Sequence, residues 1–396
     1  MHVEIDESGS PLDRLVLGIL IVLALLVLSR RKIDWSRVWH DNSWLILLHI
    51  YLGVSILWSE FQFISFKRWI RLCGVILIAL VILSEQNPLK SLESVFRRCA
   101  YVLVPFSLLL VKYFPNLGVA YDNWTGNAMW LGVASQKNGL GLTCALVSLL
   151  IIWSFHREWR AGTLLRNRWQ TIGDGLVLAI ALFLLKGFRD NYSATSVGIL
   201  IMGTGSLLFL FRSKKYVKHM ATILIAVVAF VLVSLLFMDS MTSSVTSAFE
   251  RDTSFTGRTD IWNAVLKVAS GNPWFGVGYG GYWGLADQEI FRTLRVQEAH
   301  SGYLEVYLEG GIVGVILFVA FLLSYYWRAL REFNYAYDWA VFGVCILLMI
   351  LAENFTESVF IRPNYFWNIM VFVTVAFSEQ IVRQPAGMHR MGHPRK

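Results

Sequence analysis

Apolar stretches of roughly 15–20 residues recur along the whole chain, each close to what the hydrocarbon core of a bilayer asks of a helix. Eleven can be read: 13–29, 43–59, 68–84, 97–113, 138–155, 173–187, 194–211, 220–238, 303–327, 339–355 and 364–381. The stretch at 173–187 is short and 43–59 is interrupted by His49, so the count runs from ten to twelve. Composition agrees, because hydrophobic residues make up 56% of the chain, charged residues 16%, and the mean hydropathy is +0.54. A soluble globule of 396 residues needs a more charged surface. The expected fold is therefore all-α, a polytopic membrane bundle of about eleven spans forming one domain over 1–396.

Lysine and arginine orient the bundle. The alternate connections 30–43, 84–98, 156–172, 212–219, 328–338 and 383–396 carry 21 of the 35 basic residues. By the positive-inside rule these face the cytoplasm, together with the C-terminus. The N-terminus, with Glu4, Asp6, Glu7 and Asp13, and the long loop 239–302 then lie outside. The first span does not read as a cleaved signal peptide, since its leading flank is acidic, its positive cluster follows it and no small-x-small cleavage site appears. The net charge of +8 is accordingly orientation signal and contact with anionic lipid rather than a nucleic-acid footprint. Cys73, Cys99, Cys144 and Cys345 fall inside spans without paired spacing, so they read as small apolar residues, neither a disulfide framework nor a metal site.

Several chemistries can be excluded by inspection. The chain has no H-E-x-x-H, no G-x-S-x-G, no G-x-x-x-x-G-K-[ST] and no Cys/His cluster of zinc spacing. Gly276-Val277-Gly278-Tyr279-Gly280-Gly281 matches a dinucleotide fingerprint in form but lacks the flanking strand and lies outside. Span centres hold almost no ionisable groups apart from His49 and Arg71, which argues against an ion-coupled pump. It does not exclude a channel or an uncoupled flippase.

Chemically capable side chains gather on the outer face instead. Lys137, Arg189, Arg258, Arg292, Arg295, His300 and Arg362 all belong to outer connections. Cations converging at one membrane surface suit a phosphate-rich, lipid-linked ligand, and equally they can be solvated or snorkelling groups, the better reading for Arg292 and Arg295. Thr259 to Ala269 places Ile261, Trp262, Val265 and Val268 on one helical face, predicting an amphipathic surface helix. Asp260 would stand in its first turn and Arg258 at its entry, beside backbone donors suited to an anion. In the glycine-rich run that follows, Trp274, Tyr279, Tyr282 and Trp283 offer flat faces that either stack on sugar rings or anchor the loop at headgroup level. His300 sits at the mouth of the next span, where a neutral imidazole can serve as a base near neutral pH.

Three runs in this loop resemble the O-antigen ligase and polymerase group of bacterial surface-polysaccharide proteins. They are Gly257-Arg258-Thr259-Asp260-Ile261-Trp262, then Asn272-Pro273-Trp274-Phe275-Gly276-Val277-Gly278, then His300-Ser301 with nine residues before Gly311-x-x-Gly314. Val315 stands where ligases often have threonine, and Lys137-Asn138-x-Leu140-Gly141 is more similar to the exopolysaccharide-polymerising branch. The resemblance implies a metal-independent, cofactor-free glycosyltransferase of the membrane-embedded C type in the bacterial inner membrane, with 239–302 as a periplasmic catalytic loop. Its donor would be an oligosaccharide on undecaprenyl diphosphate, and its acceptor a glycan or lipid-linked hydroxyl. Its surroundings would be the lipid bilayer and other polysaccharide-assembly membrane proteins, with no nucleic acid. By the same resemblance His300 would activate the acceptor and Arg258 would bind the diphosphate, with Arg189 and Lys137 as further diphosphate contacts, Arg189 only loosely matched. Polymerisation of repeat units is the expected role. A ligase transferring finished glycan to lipid A core is the alternative within the class, and a non-catalytic lipid-linked-glycan flippase the alternative outside it. The flippase predicts charges along a through-pathway, the transferase a cavity open on the outer side.

Overall fold

The computed structural model describes residues 11–121, 126–187, 192–212, 214–238, 254–284, 298–362 and 364–377. Each of the eleven apolar stretches is helical. They are Pro11–Arg30, Ser43–Ser55 with a 3-10 turn at Ile56–Trp58, Gln62–Leu83, Pro88–Tyr113, Lys137–Arg160, Arg168–Lys186, Ala194–Phe211, Val217–Met238, Gly302–Glu332, Tyr337–Glu353 and Tyr365–Ala376. Among the described residues, short helices at Trp35–Asp41 and Pro115–Gly118, a longer one at Ser254–Ala269 and a 3-10 turn at Tyr282–Gly284 complete the helical set. One antiparallel hairpin departs from the all-α expectation, pairing Val119–Tyr121 with Ala128–Trp130.

The span count needs correction. Among the described residues six helices are long and apolar enough to cross a membrane: Leu12–Arg30, Pro88–Tyr113, Lys137–Arg160, Arg168–Lys186, Ala194–Phe211 and Gly302–Glu332. Ser43–Trp58 and Tyr365–Ala376 are apolar but shorter. At about 1.5 Å of rise per residue, a helix of a dozen residues covers roughly 18 Å of a hydrocarbon core about 30 Å thick. Gln62–Leu83 has the length but carries Lys67, Arg68 and Arg71 in its first half. Tyr337–Glu353 is buried along nearly its whole length, at the centre of the bundle. The chain is a multi-pass membrane protein, and among the described residues fewer helices have full crossing length than there are apolar segments. The termini that framed the orientation argument, 1–10 and 378–396, lie outside the described residues.

Local signals start several helices. Asn167, Ser193 and Asn364 each accept a hydrogen bond from the backbone N–H three residues on, satisfying one of the donors a helix leaves orphaned at its start. Packing inside hydrocarbon relies on close backbone approach rather than on escape from water. Gly141 provides it on the central helix Lys137–Arg160, where a Cβ would stand 2.6 Å from Ser196 Oγ and 2.8 Å from Ser193 Cβ. At the far end of that helix Arg157 makes a two-pronged ion pair with Glu93, both bonds 2.7 Å. Arg97 reaches Asp174 at 3.2 Å, and Tyr101 donates to the same carboxylate at 2.6 Å. This network fastens Pro88–Tyr113, Lys137–Arg160 and Arg168–Lys186 together, leaving the Lys137 end of the central helix to meet the outer loop.

Candidate active site

Ser254–Ala269 is a helix, as its periodicity predicts, but it begins five residues before the expected Thr259. Arg258 therefore lies inside it. Its backbone N–H falls within the intrahelical ladder, so an anion at Arg258 would be met by the guanidinium and not by a free helix terminus. Ile261, Val265 and Ala269 are buried, packed with Tyr282, Trp283, Ala299 and Leu308, while Asp260 is exposed. The helix thus covers protein with its apolar face.

The glycine-rich run is held by the long helix Gly302–Glu332, which breaks at Gly311. There φ is 58° and ψ −161°, a backbone state that essentially only glycine adopts. The break frees backbone groups that the loop takes up. Val277 and Gly278 donate to the carbonyls of Leu308 and Glu309 at 2.9 and 3.1 Å, while Ile312 and Val313 donate to those of Pro273 and Trp274 at 2.9 and 3.1 Å. The Asn272–Gly278 run and the G-x-x-G pattern are thereby two halves of one joint.

That joint decides the fate of the aromatic residues. Tyr279 is buried and donates its hydroxyl to the Ile361 carbonyl at 2.9 Å. Trp283 is buried and donates to Glu305 at 2.9 Å, and Tyr282 packs edge-on against it. These three rings are packed against protein. Trp274, 60% exposed, keeps an open face.

His300 is held in a left-handed conformation, φ 48°, uncommon for a residue other than glycine. Bonds on both sides maintain it. Ala299 N–H donates to Glu305 Oε1 at 2.7 Å, and the Ala299 carbonyl accepts from Trp262 Nε1 at 3.0 Å. Gly302 N–H is shared by the carbonyls of Asn354 and Glu357 at 2.9 and 3.1 Å. Glu305 is itself fully buried, and it also receives Arg362 at 3.0 Å and Ser358 at 3.3 Å.

The charged groups meet on Glu357, which follows Tyr337–Glu353. Arg258 lies 3.5 Å from its Oε1, His300 Nδ1 lies 3.7 Å from its Oε2, and Asn138 donates to Oε1 at 2.7 Å. Glu298 stands 3.4 Å from His300 Nδ1 on one side and 3.4 Å from Arg362 on the other. Sequence reasoning placed Arg258, His300 and Arg362 on this face, and the structure groups them. It missed Glu298 and Glu357, because nothing in their local patterns marks them, and it singled out the Lys137-Asn138 run without foreseeing Asn138 as a partner of Glu357. Lys137 begins the helix that carries Asn138. Arg189, Arg292 and Arg295 lie outside the described residues.

Burial alone pulls the His300 pKa down, but the Glu357 and Glu298 carboxylates beside it outweigh that and Arg258 together, leaving it above the ordinary 6.5. Burial pushes the Glu298 carboxyl above its usual 4.5 against the pull of Arg362 and His300. Glu298, His300 and Glu357 bring ligand atoms within 4.8 Å of one another, a spacing that would suit a metal ion. Arg258 and Arg362 already face those two carboxylates, Arg362 shared with Glu305. What the arrangement offers chemically is a base, a cation for a developing negative charge, and carboxylates that hold both.

Comparison with known proteins adds a family. Residues 191–319 match the profile described as O-Antigen ligase, a region that includes Arg258, His300 and the Gly311 break. Over that region the chain is similar to the O-antigen ligase family. The "Exopolysaccharide production protein ExoQ" of Rhizobium meliloti (strain 1021) is 24% identical over 366 residues, covering 89% of this chain and 80% of that protein. An "Uncharacterized protein" of Haemophilus influenzae (strain ATCC 51907 / DSM 11121 / KW20 / Rd) is 23% identical over 333 residues, 76% of this chain and 77% of its own length. The matched region ends before Glu357 and Arg362, and the central-helix Asn138 precedes it.

Proposed function

We propose that the protein is a periplasm-facing glycosyltransferase that moves glycan from an undecaprenyl-diphosphate-linked donor to an acceptor hydroxyl, polymerising repeat units of an exopolysaccharide. The observation that carries this is the meeting of Arg258 and His300 on the single carboxylate of Glu357, since groups that serve two halves of one reaction must flank one bound substrate. His300 takes the acceptor proton, and Arg258 holds the charge that develops on the departing diphosphate, with Lys137 and Arg189 as further contacts to it. A lipid diphosphate is a good leaving group, so no general acid is needed, whereas a base on the acceptor contributes about 10²–10⁴-fold. Trp274 is left as the glycan-stacking candidate of the four aromatic residues. The polymerase role is supported by Lys137-Asn138-x-Leu140-Gly141 and by the exopolysaccharide-production name of the Rhizobium relative.

Reconstituted protein supplied with undecaprenyl-diphosphate-linked oligosaccharide should build a ladder of longer glycans on the lipid. His300→Ala and Arg258→Ala should each lower that rate by at least about 10²-fold while inserting normally. Full activity of correctly inserted His300→Ala protein would remove this reading. Loss of long polymer with single repeats still reaching lipid A core in cells would favour polymerase over ligase.

A further inference from the structure

Glu357 has the placement of more than a bystander. Its side chain is 5% exposed, and its backbone is tied at both ends: its N–H donates to Glu353 at 2.9 Å and its carbonyl accepts from Gly302 at 3.1 Å. Its two oxygens face different partners. Oε1 takes Asn138 and Arg258, while Oε2 faces His300.

We propose that Glu357 is a positioning residue of the transfer reaction, keeping a proton on Nδ1 of His300 so that Nε2 presents its lone pair to the acceptor, and seating Arg258 for the donor diphosphate. The inference rests on the transferase reading above. A neutral imidazole has one donor nitrogen and one acceptor, and an ionised carboxylate only accepts, so the nitrogen that faces carboxylates must carry the hydrogen. Nδ1 is sealed from solvent, whereas the side chain as a whole is 27% exposed, so its opening lies on the rest of the ring.

The charged groups around the ring are Glu298 from its own segment, Arg258 from the helix Ser254–Ala269, and Glu357 from the segment after Tyr337–Glu353. Arg362 and Glu305 act on it through Glu298 and Ala299, Lys137 begins the helix of Asn138, and Glu353 lies in the same charge group beside Glu357 and Arg258. In the reaction the acceptor O–H proton passes to Nε2. The acceptor oxygen forms its bond to the anomeric carbon as the bond from that carbon to the diphosphate oxygen breaks. The electron pair leaves on the diphosphate, facing Arg258. The imidazolium is stabilised by Glu357 and Glu298 until Nε2 returns the proton to the departing diphosphate or to water.

The test uses full-length protein in liposomes with undecaprenyl-diphosphate-linked oligosaccharide extracted from cells lacking this protein. Glu357→Gln should lower kcat by about 10²-fold or more and shift the acid limb of the pH–rate profile to lower pH, with Glu357→Asp recovering part of both. Nitrogen NMR of histidine-labelled wild-type protein, assigned against His300→Ala, should show the Nδ1–H tautomer, and this measurement decides the matter if the Glu357 variants fail to insert. A Glu357→Gln enzyme with kcat within about twofold of wild type, a lowered rate with an unmoved acid limb, or an Nε2–H tautomer in the wild type overturns the proposal. Active His300→Ala protein would instead bring down the transferase reading itself. Inactive His300→Ala beside wild-type Glu357→Gln would bring down only the role of Glu357.

Discussion

Asn138 donates a 2.7 Å hydrogen bond to Glu357 across 219 residues of sequence. That bond joins the outer end of the central helix to the carboxylate on which Arg258 and His300 meet. Removing the donor leaves Arg258 alone on Oε1. We expect Asn138→Ala to cost about 1 kcal/mol of stability, the usual scale for one partner of a buried hydrogen bond. Asn138→Asp, which sets a second carboxylate against the first, should cost more. Thermal unfolding in detergent should rank wild type above Ala above Asp, and an Asp variant as stable as wild type would contradict the geometry.

Gly311 and Gly314 look equivalent in the G-x-x-G pattern, yet they should respond oppositely. A Cβ on Gly311 would run into the Trp274 carbonyl from a conformation that alanine resists, whereas one on Gly314 would meet Tyr51 at an ordinary 3.4 Å. Gly311→Ala should lose about 3 kcal/mol or fail to fold, and Gly314→Ala should stay within about 1 kcal/mol of wild type. Equal effects in an unfolding assay would mean the break at Gly311 is not needed to seat the loop.

The aromatic residues should divide by burial. Tyr279→Phe removes a buried hydroxyl bound to Ile361 and should lower stability by about 1 kcal/mol while leaving donor KM unchanged. Trp274→Ala, at an exposed ring, should do the reverse: little change in unfolding and a raised donor KM. A Trp274→Ala enzyme with unaltered KM would end its candidacy as a sugar platform.

His300 has a folded-state pKa above its ordinary 6.5, so its contribution to stability is complete below pH 6.5 and is lost as pH rises through the folded value. The base exists only in the deprotonated form, so transfer should accelerate across the same window. Activity should therefore rise with pH while stability falls, and His300→Gln should flatten the stability slope there. An acid limb for kcat/KM at or below pH 6.5 would contradict this assignment.

The order of the loop motifs pointed to Arg258 and His300 because each stands in a short, recognisable run. Glu357 gave no such signal, since it lies in an ordinary polar turn, Glu357-Ser358, and gains its meaning from groups brought there by other helices. Glu305 likewise carries no local signal, and the fold made it the carboxylate that fixes the backbone before His300 and holds Trp283. Tyr279 and Tyr282 read equally as sugar platforms or loop anchors, because sequence cannot tell a flat ring facing solvent from one packed beneath a loop.

Hydrophobic periodicity by itself determined that this is a helical membrane protein with a polar, chemically loaded loop, because a helix in hydrocarbon is specified by local composition. Which of those helices are long and apolar enough to cross was decided by their actual lengths and charges. Only the tertiary structure decided that His300, Arg258 and Asn138 share one carboxylate. Such a meeting depends on where separate helices end relative to one another, which no window of neighbouring residues encodes.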